Sequence, residues 1–345
     1  MGSSDKTGEL ILLTGGTGHI GYRTLIEALR TGFQVRAAIR RESSIDEIKA
    51  TKSIQPYLSS LSFVIVEDIT KDGAFDEAVK DVSYIVHVAS PLARPSDDPD
   101  NIIIQPAIRG TLSILNSALK QPSVKRVVIT ASQAAVTPLT AYGGQDPGVL
   151  TAESKVPSDS LPKEYPNYFA AYAVSKILAY NHTLEFIEKE KPKFTVINVM
   201  PTFVIGKNEL ATTPKAVNSG SNSIAMNVLV GVQNPAGMMG VTVHVDDVAK
   251  IHIAALDPKV EGNRNFGANC NGIEGIEWDS AIETVKSHFP KAVESGIFPL
   301  GGSQKSNRLQ FDASETEKVL GFKFKSFEEQ ITSLAGWYAE VSANA

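Results

Sequence analysis

Tyr172 and Lys176 stand four residues apart in the run Tyr172-Ala173-Val174-Ser175-Lys176, within a helically patterned stretch from about Asn167 to Lys191. That spacing puts both side chains on one helix face. A tyrosine hydroxyl titrates near pH 10 in water, and a nearby ammonium favours its ionised form. The pair is therefore the raw material of a proton donor and acceptor with a tuned acidity. Among nine tyrosines such a pair arises by chance about half a time, so its weight comes from its company. Ser132 follows the apolar run Val127-Val128-Ile129-Thr130-Ala131. A hydroxyl at the carboxyl end of a strand is placed to orient a carbonyl oxygen, although a lone serine there is ordinarily a turn or cap residue.

The third group is Gly15-Gly16-Thr17-Gly18-His19-Ile20-Gly21, directly after the apolar run Leu10 to Thr14. Glycines without a Cβ let the backbone and a helix N-terminus approach a pyrophosphate closely. Here the glycines are spaced three and three apart, whereas the common dinucleotide fingerprint spaces them two and then three. The kind of dinucleotide follows from the end of the second strand, which reads Ala38-Ile39-Arg40-Arg41. Chains that bind NAD usually place a carboxylate there for the ribose hydroxyl, while a guanidinium suits a 2′-phosphate. The expected cofactor is NADP(H), with Arg40 as its phosphate contact.

Such residues need a scaffold that alternates strands with crossover helices. Strands are expected at Leu10 to Thr14, Gln34 to Ile39, Ser62 to Val66, Tyr84 to Val88, Lys125 to Thr130 and Phe194 to Val199, with a helix over Ile102 to Leu119. This alternation predicts an α/β fold, a Rossmann-type doubly wound parallel sheet with a smaller C-terminal substrate-binding lobe. Residues 1–9 form a polar tail, 10–205 the dinucleotide-binding core with the catalytic residues, and 206–345 mostly the lobe, with 241–256 returning to the core. The prolines and glycines of 133–166 predict a long loop over the site. Helices are expected near Lys215 to Val230, Trp278 to His288 and Phe327 to Ser342.

Composition excludes several classes of function. At 345 residues, 42% hydrophobic and 21% charged, the chain reads as an ordinary globular protein. A net charge of -5 without a Lys/Arg-rich run gives no footing for nucleic acid. Cys270, the only cysteine, excludes an internal disulfide and a cysteine-built metal site, and no histidine pattern points to a metal. No apolar stretch reads as long enough to span a membrane, and Met1 to Glu9 is polar rather than a leader, so the expected location is cytoplasmic.

The glycine run, Ser132 and the Tyr172/Lys176 pair together resemble the short-chain dehydrogenase/reductase superfamily in its extended branch. Val86-His87-Val88-Ala89-Ser90-Pro91, the stretch Pro106 to Thr111, Pro122-Ser123-Val124-Lys125-Arg126-Val127 and His244-Val245-Asp246-Asp247-Val248-Ala249 narrow the resemblance to the dihydroflavonol reductase-like group, near fungal carbonyl and aldehyde reductases. It implies NADPH-dependent reduction of aldehydes and ketones, ketoesters included, as small-molecule substrates, with Ser132, Tyr172 and Lys176 catalytic. It also implies cofactor contacts at Gly15, Thr17, Gly18, His19 (through its backbone), Ile20 and Gly21, at Asp68 and Ile69 for the adenine, at Val88, Ala89, Ser90 and Lys176 on the ribose and nicotinamide side, and at Pro201 and Val204 for the carboxamide. Tyr168 and Phe203 are expected as apolar walls for substrate. Two other activities share parts of this set. Sugar-nucleotide epimerases or dehydratases usually retain NAD, which Arg40 opposes, and a non-catalytic NADP-sensing regulator needs neither Tyr172 nor Lys176.

Overall fold

The computed structural model describes residues 8–91, 95–162 and 164–344. Seven strands form one all-parallel sheet: β1 (Leu10–Thr14), β2 (Gln34–Ile39), β3 (Leu61–Ile65), β4 (Tyr84–His87), β5 (Arg126–Thr130), β6 (Thr195–Pro201) and β7 (Arg264–Ala268). Their spatial order is β7-β6-β5-β4-β1-β2-β3. The order reverses between β1 and β4, where Thr14 pairs with His87, and ligands of open parallel sheets lie at that point.

Both faces of the sheet are covered because its strands are apolar on both sides. On one face Ile11 and Leu13 of β1 and Val128 of β5 pack against α1 (His19–Arg30) and α5 (Val245–Ala254). On the other, Leu12, Ile85 and Val127 meet α3 (Gln105–Leu119) and α4 (Tyr168–Glu190), while α2 (Ser43–Lys49) lies after β2. Contrary to the sequence reading, one segment, Asp100–Leu119, is long and apolar enough to cross a membrane by length and composition. It is mostly buried, with Ile114, Leu115 and Ala118 against the sheet, as expected of a core helix.

The return from the lobe extends beyond residue 256. β7 was not expected from sequence, because Arg264-Asn265-Phe266-Gly267-Ala268 carries only one large apolar side chain. A buried guanidinium fastens this region: Arg126 donates to the carbonyls of Ala255 (2.6 Å), Asp257 (2.7 Å) and Val260 (2.7 Å), and to Thr195 Oγ1 (2.8 Å). Its five donors suit such a ring of oxygens.

The lobe has its own core of Trp278, Phe298, Phe327, Ile331 and Leu334. Its last helix, Phe327–Ala343, begins with a capping box in which Ser326 and Glu329 satisfy each other's backbone. The helix expected over 215–230 is two pieces, Pro214–Val217 and Asn222–Leu229. Short parallel pairings unmarked by sequence join Phe203–Ile205 to Thr242–His244, Val149–Thr151 to Gln310–Asp312, and Gln233–Met239 to Ser303–Asn307. Among its described residues, the segment 133–166 is mainly loop, with short helical turns and the strand Val149–Thr151.

Candidate active site

The glycine run turns from β1 into α1 at the sheet's reversal point. Gly15 has φ +75°, and a Cβ there would lie 2.7 Å from the Ala89 nitrogen. A Cβ on Gly21 would lie 2.0 Å from the Gly15 carbonyl oxygen. Neither position has room for another residue without moving backbone. The Gly18 N–H closes the turn on the Gly15 oxygen at 3.0 Å. No side chain caps α1 at Gly18, and Thr17 and Gly18 are exposed, so the first-turn N–H groups face outward at an accessible helix end. These features fit a pyrophosphate.

Thr14 ties this turn to the end of β4. Its Oγ1 accepts the N–H of Val88 and of Ala89, both at 3.1 Å, which leaves its own proton for His87 Nδ1 at 3.0 Å. His87 is therefore an Nε2–H imidazole, and burial, with the Lys176 charge nearby, pushes its pKa down to about 3. His19 begins α1 with its ring set against the backbone of Gly206 and Lys207, and burial lowers it to about 4. Ile20 packs partly into the core.

Arg40 is exposed just beyond β2. Asp68, after β3, holds Thr70 through its N–H (2.9 Å) and Oγ1 (2.6 Å), and these bonds, with Arg40 and Lys71 nearby, keep its carboxyl below the ordinary range. Ile69 packs against Gly110 of α3. The cationic end of β2 and the loop after β3 thus form one edge of the cleft.

The three residues expected to be catalytic converge. Ser132 caps the turn Gln133–Val136, its Oγ accepting the Ala134 N–H at 3.1 Å. Burial pushes the Tyr172 phenol up, and the nearby Ser132 hydroxyl partly opposes that push. Lys176, one turn further along α4, is buried, donates to Ser90 Oγ at 2.9 Å and lies 5.5 Å from the Tyr172 ring centre. Burial lowers its ammonium to about 8. The sequence reading gave Lys176 the task of making Tyr172 more acidic. In the structure the ammonium donates to Ser90 and stays beside the Tyr172 ring, while the Ser132 hydroxyl opposes the upward push of burial on the phenol. Behind Lys176 a cavity of about 20 Å³ lies among His87, Thr130, Tyr180 and Asn198, room for one water.

The residues expected at the substrate side are more scattered. Tyr168 stacks on Phe169 at the start of α4, with ring centres 4.4 Å apart. Phe203 is half-buried and meets Trp278 edge-on at 6.0 Å. Pro201 ends β6, and the side chain of Val204 is in the core. Two polar residues not singled out from sequence also reach the site. Burial, with Tyr172 nearby, pushes the Tyr142 phenol up, and Gln133 opposes that push. Gln133 follows Ser132 directly, and that adjacency was the one available signal. Tyr142 had none, since it sits in an aperiodic loop.

Residues 11–267 match a family model described as the NAD dependent epimerase/dehydratase family. The chain is 37% identical to ketoreductase CTB6 of Cercospora nicotianae over 96% of this chain and 95% of that one. It is 36% identical to the NAD-dependent epimerase/dehydratase ALT6 of Alternaria alternata over 95% and 97% of the two chains. The yeast methylglyoxal/isovaleraldehyde reductase Gre2, solved in complex with NADPH, has a similar fold, with a TM-score of 0.81 and 22% identity over 97% of this chain and 100% of that one.

Proposed function

The chain belongs to the NAD dependent epimerase/dehydratase family, and we propose that within it this protein is an NADPH-dependent carbonyl reductase acting on small aldehydes, ketones or ketoesters. The observation that carries this reading is the convergence of Ser132, Tyr172 and Lys176: Lys176 is buried one helical turn from Tyr172, 5.5 Å from its ring centre and held by Ser90 at 2.9 Å, while the Ser132 hydroxyl acts on the Tyr172 phenol. When bound, NADPH supplies the hydride. The glycine turn and the α1 N-terminus hold its pyrophosphate, Arg40 its 2′-phosphate, and Lys176 its ribose.

On the substrate side, Ser132 Oγ orients the carbonyl oxygen and Tyr172 Oη gives that oxygen a proton. Burial keeps the Tyr172 phenol protonated at neutral pH, so it serves as an acid, in keeping with reduction rather than oxidation. CTB6 is described as a ketoreductase and Gre2 as an NADPH complex, and both descriptions support the reading.

Replacing Tyr172 by Phe removes the proton but leaves the cofactor cradle. The variant should lose roughly 10²- to 10⁴-fold in kcat while binding NADPH as before, read by the quenching or enhancement of NADPH fluorescence. Wild-type turnover in Tyr172→Phe would refute the assignment. A second reading, an epimerase or dehydratase that keeps its cofactor through the cycle, is favoured by the description of ALT6. Consumption of one NADPH per carbonyl reduced separates the two, because an epimerase consumes none.

A further inference from the structure

Tyr172, Lys176 and Tyr180 stand at successive four-residue steps on one face of α4. Lys176 and Tyr180 line the cavity of about 20 Å³ described above, together with His87, Ser90, Thr130 and Asn198. The surrounding hydrogen bonds fix which of these groups give protons to that space and which take them. Glu153, an exposed carboxylate, only accepts, so Nδ2 of Asn265 on β7 faces it at 3.1 Å and gives its other proton to Tyr180 Oη at 2.8 Å. Asn265 Oδ1 in turn accepts Asn198 Nδ2 at 3.0 Å. The Tyr180 hydroxyl therefore keeps its own proton to donate, and Asn198 Oδ1 keeps its lone pairs. Thr130 is polarised in the same way. His252 is neutral and its Nδ1 donates to the Val248 carbonyl at 2.7 Å, so its Nε2 accepts the Thr130 hydroxyl at 2.6 Å and leaves Thr130 Oγ1 an acceptor. His87, with its proton on Nε2, adds a donor.

We propose, resting on the carbonyl reductase reading above, that this cavity is a built water site, and that Tyr180, Thr130 and Asn198 are positioning residues acting on Lys176 through the water it holds. The water donates to Thr130 Oγ1 and Asn198 Oδ1 and accepts from Lys176 Nζ and Tyr180 Oη, which fills its four places. A metal cation is refused by an ammonium and two further donors, and an anion by the two acceptors. The ammonium has three protons. Ser90 Oγ takes one at 2.9 Å, the water takes the second, and the third is thereby aimed at the cofactor ribose. Burial disfavours a charged lysine, and the water bond opposes that loss from the side away from the cofactor. Because the polarity of the site runs back through Asn265, β7 and the Glu153 loop set the direction in which the catalytic lysine points.

Two measurements test this. A crystal structure of the wild-type NADPH complex, at a resolution that shows ordered water, should place one within hydrogen-bonding distance of Lys176 Nζ and Tyr180 Oη. A cavity without ordered water overturns the inference, whether or not the variants below fold. The second measurement is the pH dependence of kcat with NADPH and either ethyl acetoacetate or butanal. Among the groups around the cavity, burial holds His87 and His252 neutral and raises the Tyr172 and Tyr180 phenols, so Lys176, lowered to about 8, is the one that loses its proton first above neutrality. The alkaline midpoint should fall by about one pH unit in Tyr180→Phe and in Thr130→Val, the size of one hydrogen bond to a charged group. Relative to wild type, the loss in kcat then deepens to about tenfold as pH rises. Thr130→Ser keeps the hydroxyl and should keep the wild-type midpoint. A merely structural role would lower kcat evenly across pH, so an unmoved midpoint in a variant that still melts as a folded protein overturns the inference and leaves the reductase reading standing. A wild type that oxidises NADPH with neither compound overturns both.

Discussion

Arg40 is the residue on which cofactor choice turns. It is exposed at the end of β2, and its charge reaches Asp68 across the edge of the cleft. A charge-assisted hydrogen bond contributes about 1.5–3 kcal/mol, so Arg40→Ala should raise the KM for NADPH by about tenfold or more and leave that for NADH nearly unchanged. Steady-state titration of both cofactors checks this, and equal effects on the two would remove Arg40 from the phosphate site. Ser132, Tyr172 and Lys176 were legible in sequence because their placement is local: a four-residue step on one helix and a position just past one strand. The direction of charge was not legible. That Lys176 turns to Ser90, and that Ser132 also acts on the Tyr172 phenol, depends on how β4, β5 and α4 meet.

At the scale of elements, the cradle rests on two glycines that do different things from the third. The Gly21 Cβ would strike the Gly15 carbonyl oxygen at 2.0 Å, a backbone atom with no freedom to give way, whereas a Gly18 Cβ would sit at an ordinary 3.4 Å. Gly21→Ala should therefore cost about 1–3 kcal/mol, seen as a Tm lower by a few degrees, and weaken NADPH binding as the turn shifts. Gly18→Ala should leave Tm within about a degree, because its φ of -99° suits any residue. Differential scanning fluorimetry with an NADPH titration reads both, and equal Tm losses would contradict this division of labour. The strands from Leu10 to Val199 were readable because each carries a cluster of β-branched or aliphatic residues, fully buried in β4 and β5 at the centre and only partly buried in β3 at the edge. β7 and the three short pairings of the lobe were not. Such strands are defined by partners far away in sequence, and Arg264-Asn265 at the head of β7 carries no apolar signal of its own.

At the scale of the whole molecule, burial of histidine sets the response to acid. His87 and His252 are 2% and 0% exposed, and burial lowers them to about 3 and about 4. In the unfolded chain both titrate near 6.5. Between about 6.5 and 4 the unfolded chain takes up protons that the folded one refuses, so stability falls as pH falls. The slope is about 1.4 kcal/mol per pH unit for each histidine. Tm should therefore drop steadily from pH 7 to pH 5 in low-salt buffer, and a Tm that is flat or rises over that interval would contradict the neutral assignment. Further down, Asp246 adds its own loss: although burial opposes its charge, Arg23 and Lys325 hold its carboxyl far below the ordinary range.

The buried Arg126 has a consequence for how the chain is made. Three of its guanidinium bonds go to carbonyls at Ala255, Asp257 and Val260, and the edge of β6 is covered by Arg264–Ala268. During synthesis, the half that cradles the nucleotide thus waits for more than fifty residues of the lobe to leave the ribosome before it closes. The lobe's return segment acts as the clasp of the nucleotide half, and the two mature together rather than in turn.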